Sequence, residues 1–245
     1  MPKPDIYLSV IVPAYNEAEK LPKTLRRFQE YFLAQAYSYE ILVVNDGSRD
    51  RTPEIINEMT GEIKNLRFID RKKNMGKGYT VREGMLTAYG RVRLFADADN
   101  ATDISHFDKM RPLFDKGFDA VICSRNAKDA PGARQAVAQA WWKRVLGNLG
   151  NLYIQWIAVP GIWDTQCGFK AFRDFAAEKI FSAAKINRWA FDVEALALAK
   201  RLGYKIGIIP ANWVNDPRST VKFTAYFRTL WEVFKIRRSL NKLKI

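Results

Sequence analysis

Asp97 and Asp99 stand one residue apart in Leu94-Phe-Ala-Asp-Ala-Asp-Asn-Ala-Thr102, directly after a short apolar run. Two carboxylates so spaced can hold a hard divalent cation through oxygen, which suits Mg²⁺ or Mn²⁺. Such an ion neutralises the charge that grows on a diphosphate as a sugar–oxygen bond breaks. One aspartate can bind the ion directly while the other meets a ribose or bound water. The run is not a calcium loop: Thr102 stands where the glycine belongs and Asp108 where the closing glutamate belongs.

Three further polar clusters sit beside apolar runs: Pro13-Ala-Tyr15-Asn-Glu17, Asn45-Asp46-Gly-Ser48 and Asn74-Met-Gly76-Lys77-Gly78. Asp46 is placed to take a base or ribose. Lys77 offers a cation to a phosphate or an acidic neighbour. Gly76-Lys77-Gly78 lacks the long glycine spacing and the following Ser/Thr of a P-loop.

The elements that must position these clusters alternate. Apolar runs at 6–12, 40–44, 66–69, 92–96 and 120–122 read as strands. Between them Leu21, Leu25, Phe28 and Phe32 recur at helical spacing, with Asn16 and Glu19 as a capping box. Thr52-Pro53 opens a further helix. Strands alternating with helices predict an α/β, mostly parallel, doubly wound sheet whose ligand lies beyond the carboxyl ends of the strands. The second half differs. It holds an aromatic-rich stretch over 135–163, a compact mixed segment over 164–172, an apolar helix over 191–202 and a strand over 205–209. From 220 onward it becomes a basic amphipathic helix.

A chain of 245 residues supports one large domain. Forty Lys and Arg against 26 acids give +14, which favours anionic partners. No reader motif organises these cations, so nucleic acid is not expected. Cys123 and Cys167 are too few for a disulfide framework and read as buried thiols of a reducing compartment. His106, the sole histidine, reads as a surface or helix residue and not a base. The first residues carry no apolar signal region, and the apolar stretch 145–163 is interrupted by Asn148, Asn151, Gln155 and Pro160. No spanning helix is predicted, and membrane contact is expected to be peripheral.

Val10-Ile-Val-Pro-Ala-Tyr-Asn-Glu17, Val43-Val-Asn-Asp-Gly-Ser48, Asn74-Met-Gly-Lys-Gly78 and Asp97-Ala-Asp99, in that order, resemble the pattern of family 2 glycosyltransferases. The resemblance implies the inverting GT-A fold, a Rossmann-like sheet flanked by helices. Its expected extent is 1–218, with a nucleotide-sugar half to about 125, an acceptor half from there, and a basic helix over 219–245. Within the family the chain looks most like the dolichyl- and polyprenyl-phosphate sugar synthases, and more like the β-glucosyltransferase branch than the mannosyl branch. Asp97-Ala-Asp-Asn-Ala-Thr102, Cys123-Ser-Arg125, Asp164-Thr-Gln-Cys-Gly-Phe-Lys170 and Phe191-Asp-Val-Glu194 carry that likeness.

The resemblance implies a role for each matching residue. Pro13, Tyr15, Glu17 and Asp46 would hold the nucleoside. Asp97, Ala98 and Asp99 would lie along the diphosphate, with Asp99 the metal ligand, and Arg125 would reach phosphate. The mannosyl branch has a metal-contacting glutamine where this chain has Ala101, so coordination would lean on water and diphosphate. The implied reaction moves a hexose, glucose from UDP-glucose, onto a polyprenyl phosphate at the cytoplasmic face of a membrane. An integral-membrane partner or a second copy of the chain would accompany it. The alternatives are a GDP-mannose-dependent mannosyltransferase, a family 2 transferase acting on a sugar hydroxyl, and a non-enzymatic module binding anionic lipid.

A lipid phosphate acceptor has a second pKa near ~6, so it is ionised near neutral pH and needs no strong base. It needs cations instead, and Arg144, Arg218 and Lys222 are the candidates. A hydroxyl acceptor would need a base, for which Asp192 is the nominee. Trp141 to Trp163 suits an interfacial surface. In the tail Phe223, Phe227, Leu230 and Phe234 form one stripe, and Arg228, Lys235, Arg238 and Lys242 a basic face.

Overall fold

The computed structural model describes residues 4–135, 150–214 and 224–241. The first half runs β1 (Leu8–Ala14), α1 (Leu21–Leu33), β2 (Tyr39–Asp46), α2 (Thr52–Glu62), β3 (Leu66–Arg71), α3 (Lys77–Thr87) and β4 (Val92–Ala96). A 3₁₀ turn over Ile104–His106 leads into α4 (Phe107–Asp115) and β5 (Ala120–Ser124). The second half contains β6 (Arg134–Gln135), helical residues 150–157 (α5), β7 (Phe169–Arg173) and α6 (Asp174–Ala183). It closes with α7 (Phe191–Arg201), β8 (Ile206–Pro210), β9 (Asn212–Trp213) and α8 (Thr224–Leu240).

The main sheet has seven strands in the order β3-β2-β1-β4-β7-β5-β8. β1 pairs in parallel with β2 and β4, and β2 with β3. Every residue of β1, β2, β4 and β5 is buried, as expected of strands covered on both faces, which read as near-continuous apolar runs. One core layer packs α1, α2 and α4 against one face, with Leu25, Phe28, Phe32, Phe107 and Phe114 at its centre. The other packs α3, α6, α7 and α8 against the opposite face, around Val81, Met85, Phe181, Leu196 and Val233.

The compact segment read only as mixed supplies β7, which runs antiparallel between β4 and β5. Its Lys170 and Arg173 break the apolar run that would have marked a central strand.

Three local expectations are corrected. Asn16 does not cap α1. It sits at φ 55° with its side-chain oxygen accepting the Arg49 amide, and Lys20 takes the cap position without a side-chain bond. His106 is buried, not on the surface: Nδ1 lies 2.8 Å from the Asp103 carbonyl and Nε2 accepts the Asn212 amide at 3.0 Å. It is a structural bridge between the 3₁₀ turn and β9. On α8, Val233, Ile236 and Leu240 enter the core, whereas Phe234 of the anticipated stripe is 46% exposed.

Candidate active site

Parallel strands deliver their carboxyl ends to one edge, where backbone groups are freed and loops meet. The loops after β1 and β2 are fastened together there. Ser48 Oγ accepts the Asn16 amide at 2.9 Å, Thr52 Oγ1 the Glu17 amide at 2.9 Å, and Asp50 the Ala18 amide. Pro13 is buried at the end of β1, while Tyr15 stands 41% exposed above it.

Asp46 ends β2 nearly buried. Its carboxylate accepts the Met75 and Gly76 amides at 2.7 and 2.9 Å and an Arg71 N–H at 2.7 Å. It thereby fixes the loop that opens α3. Gly76 adopts φ +99°, and a Cβ there would lie 2.4 Å from the Asn187 carbonyl. One at Gly78 would meet the Phe191 Cβ at 2.6 Å. The glycines of this loop let it pack directly on the segment before α7.

That packing brings Lys77 to Asp97, Nζ to Oδ1 2.6 Å. Burial opposes the charge of Lys77, but Asp97, Asp192 and Asp99 together hold its pKa above the ordinary value. Asp97 donates its amide to the Gly168 carbonyl at 3.2 Å. A Cβ on Gly168 would come within 2.0 Å of Asp97 Oδ2, so only glycine fits against that carboxylate. Ala98 is pinned from α1 by Thr24, whose hydroxyl donates to its carbonyl at 2.7 Å. Among the described residues Asp99 accepts just the Ala101 amide, at 3.0 Å, and it reaches solvent. Desolvation by the surrounding walls, and next the Asp97 carboxylate, raise its pKa. Glu17 is raised in the same way, by burial first and also by Asp99 and Asp97, which places three carboxylates in one field.

Behind this cluster lies a buried ion pair that the sequence did not disclose. Lys170 on β7 has no exposed surface and donates to Asp192 of α7 at 2.5 Å and to the Cys167 carbonyl. Burial raises the Asp192 pKa against the pull of Lys170 and Lys77. Asp192 is thus an anchor within the wall and not a cap of α7. Lys170 could have been found only by noticing a lysine flanked by apolar residues, with its acid 22 positions away. Glu194, two residues beyond Asp192, accepts the Lys185 and Ile186 amides and holds the loop before α7.

Arg125, at the end of β5, makes a two-pronged bond to Asp164, with Nε and Nη2 each at 2.8 Å, and its amide donates there too. Its guanidinium lies 5.2 Å from the Trp213 ring centre. Burial opposes the Arg125 charge, yet Asp164 raises its pKa, and the guanidinium in turn holds Asp164 low. Sequence reasoning named Arg125 and missed its partner. Arg144, Arg218 and Lys222 lie outside the described residues, as do Trp141, Phe223 and Lys242.

Asp97 and Asp99 supply hard oxygen donors of the kind a divalent cation takes, and Asp99 is exposed on one side. Among the described residues no group of three or more acids, histidines or cysteines could hold an ion alone. A ligand's own phosphate oxygens would have to complete the shell. Among the described residues no helix is long and apolar enough to cross a membrane.

A mostly parallel α/β sheet with paired carboxylates and an opposing lysine at its carboxyl edge is the framework a sugar-transferring enzyme would use for a nucleotide-sugar diphosphate. The comparisons with known proteins agree: the family model "Glycosyl transferase family 2" matches residues 9–181, and the chain belongs to that family. It is a hexosyltransferase. It is 33% identical over 247 residues to the dolichyl-phosphate beta-glucosyltransferase of Dictyostelium discoideum, covering 96% of this chain and 75% of that one. With the Homo sapiens protein of the same name identity is 35% over 229 residues, covering 86% and 68%. Among solved structures it resembles the Mycobacterium tuberculosis glucosyl-3-phosphoglycerate synthase in complex with Mn²⁺, UDP and glucosyl-3-phosphoglycerate. The TM-score is 0.70 at 16% identity, over 98% of this chain and 81% of that one. The mannosyltransferase PcManGT of Pyrobaculum calidifontis, in complex with GDP-Man and Mn²⁺, matches with TM-score 0.59 at 17% identity, covering 99% and 77%. At such identities these two speak for the fold.

Proposed function

We propose that the chain transfers glucose from UDP-glucose to a dolichyl or polyprenyl phosphate with inversion at the anomeric carbon. The relatives named for that reaction support it. The observation that carries it is the state of Asp192. The carboxylate nominated as base for a hydroxyl acceptor is buried and bonded to Lys170, whereas a phosphate acceptor is already ionised and needs no base. The acceptor phosphate oxygen forms a bond to C1. The bond from C1 to the β-phosphate oxygen breaks, and its electron pair leaves with UDP.

Pro13, Tyr15, Glu17 and the loop that Asp46 fixes would seat the nucleoside. Asp97 to Asp99 would lie along the diphosphate, with Lys77 beside it. Asp99, backed by Asp97, would hold Mg²⁺ or Mn²⁺, which when bound supplies neutralisation of diphosphate charge. Arg125 would serve chiefly by bracing the 124–129 loop on Asp164, where Asp129 also accepts the Trp163 and Asp164 amides. Arg144, Arg218 and Lys222 are proposed for the acceptor phosphate.

A membrane surface is proposed as the setting. Leu152 and Trp156 of α5 are 50% and 81% exposed, and Trp231 and Phe234 of α8 are 58% and 46% exposed. Apolar residues so displayed beside Arg228, Lys235 and Arg238 suit an interfacial helix pair.

The test is a product assay pairing UDP-glucose or GDP-mannose with dolichyl phosphate or a glycan acceptor, with Mg²⁺ or Mn²⁺. Glucosyl phosphodiester should form, and Asp99→Ala should reduce it by about a hundredfold or more while the fold persists. A glycan product instead, or a fully active Asp99→Ala enzyme, would overturn the proposal.

A further inference from the structure

A second cleft, of about 540 Å³, opens between α8 and the loop that precedes α7. None of Glu17, Asp97 or Asp99 lines it. Its walls carry Lys185, Arg188, Arg228 and Lys235 against two acids, Glu194 and Glu232. Both acids are committed. Glu194 accepts the Lys185 and Ile186 amides at 3.0 and 2.7 Å. Glu232 accepts the Ala190 amide at 3.1 Å and lies 3.7 Å from Arg228. Among the described residues, Lys185, Arg188 and Lys235 line one concavity with no carboxylate in salt-bridge contact, and Glu194, which feels the charge of Lys185, spends its oxygens on backbone amides. Like charges converge in a hollow at a cost that an anion removes.

We infer that this cleft is a second anion site, for a phosphate monoester, separate from the sugar-donor site. Lysine and arginine fork and point donors suit phosphate oxygens, and Ser239 adds a hydroxyl at the rim. Lys235 faces two ways. It lines the cleft, and its Nζ lies 5.7 Å from the centre of the Trp231 ring, itself stacked on Phe234 at 5.7 Å. A phosphate carried on a lipid could thus enter the cleft while its tail lies along the exposed rings. A soluble phosphate ester offers the same headgroup chemistry without the tail. The cleft also touches the donor loop, for Asn74 and Met75 form part of its wall and Asn187 packs on Gly76. Occupancy there would brace the loop that presents Lys77.

This goes beyond sugar transfer and is measured without donor, so its failure leaves the transferase proposal standing. The experiment compares the full chain with a cleft variant, Lys185→Ser/Arg188→Ser/Lys235→Ser, and a charge-matched control, Lys64→Ser/Lys109→Ser/Lys116→Ser. The control residues are exposed and lie away from the cleft. Circular dichroism checks that each variant is folded. Calorimetry with glycerol 3-phosphate and sedimentation with phosphatidylcholine vesicles, with and without phosphatidic acid, read the binding. The cleft variant should lose affinity at least about tenfold, the scale of removing charge-assisted hydrogen bonds, while the control keeps it. Loss confined to phosphatidic acid vesicles assigns the headgroup of a lipid, and loss confined to glycerol phosphate assigns a soluble ester. Equal loss in both variants, or no binding by the unaltered chain, overturns the inference.

Discussion

Lys170 and Asp192 lie 2.5 Å apart, on β7 and α7, with side-chain exposures of 0% and 7%. Neither side chain turns freely to water: Lys170 donates to Asp192 and to the Cys167 carbonyl, while Asp192 takes its charge balance from Lys170 first and Lys77 next. Removing one partner leaves a bare buried charge. Lys170→Met should cost about 3–5 kcal/mol of stability by urea denaturation, and adding Asp192→Leu should recover a large part. A single variant as stable as the unaltered chain would contradict the pairing.

Gly168 lies against the carboxylate of Asp97, where even a methyl group would collide at 2.0 Å. Gly168→Ala is expected to cost about 1–3 kcal/mol and to depress sugar transfer about a hundredfold by displacing Asp97. Thermal melting and initial rates check the two effects separately.

Lys77 sits among Asp97, Asp99 and Asp192 as their shared cation. Lys77→Met should tighten Mn²⁺ binding to the donor-free enzyme roughly tenfold, since the carboxylates then lack a competing charge, and yet slow transfer. Electron paramagnetic resonance of free Mn²⁺ gives the first quantity. Weaker Mn²⁺ binding in the variant would show that Lys77 assists the ion.

Burial opposes ionisation of Asp164, but the Arg125 guanidinium outweighs it and lowers the pKa below the usual range. A carboxyl whose folded pKa is depressed contributes stability above its unfolded value, near ~3.9, and that contribution fades as pH falls through the folded pKa. Asp164→Asn should therefore destabilise by about 3 kcal/mol at pH 7, with the gap narrowing below about pH 4. Urea midpoints across pH 3 to 7 follow it, and a gap constant with pH would refute the assignment.

Trp156 and Trp231 expose most of their surface. Burying an aromatic side chain is worth roughly 1.5–3 kcal/mol, so Trp156→Ser/Trp231→Ser should weaken vesicle binding by at least about tenfold. Unchanged sedimentation with vesicles would place the membrane contact elsewhere.

The strands that carry the proposed donor-side residues were legible because physics writes them locally. β1, β2 and β4 are buried on both faces and end in polar clusters, so strand, loop and acid all fall within a few residues. β7 was not legible: Lys170 and Arg173 look like surface positions until the distant Asp192 and the Phe114 and Phe118 carbonyls are known as their partners. Asn16 misled because a left-handed backbone position and a cap attract the same residue type. On α8, Phe234 and Val233 are adjacent and both apolar, and periodicity alone could not tell which one the core would take. Arg125 was found without Asp164 because no local pattern links residues on two separate loops.

The seat of β7 between β4 and β5 has a bearing on how such a chain can be assembled and altered. Until Arg173 has emerged from the ribosome, β4 waits with an open edge and β5 has nothing on its inner side. A fragment ending at Ser124 would contain every donor-side acid yet present a raw strand to its neighbours, inviting aggregation. Swapping acceptor halves between relatives as cassettes should accordingly fail unless this one reversed strand travels with the first half.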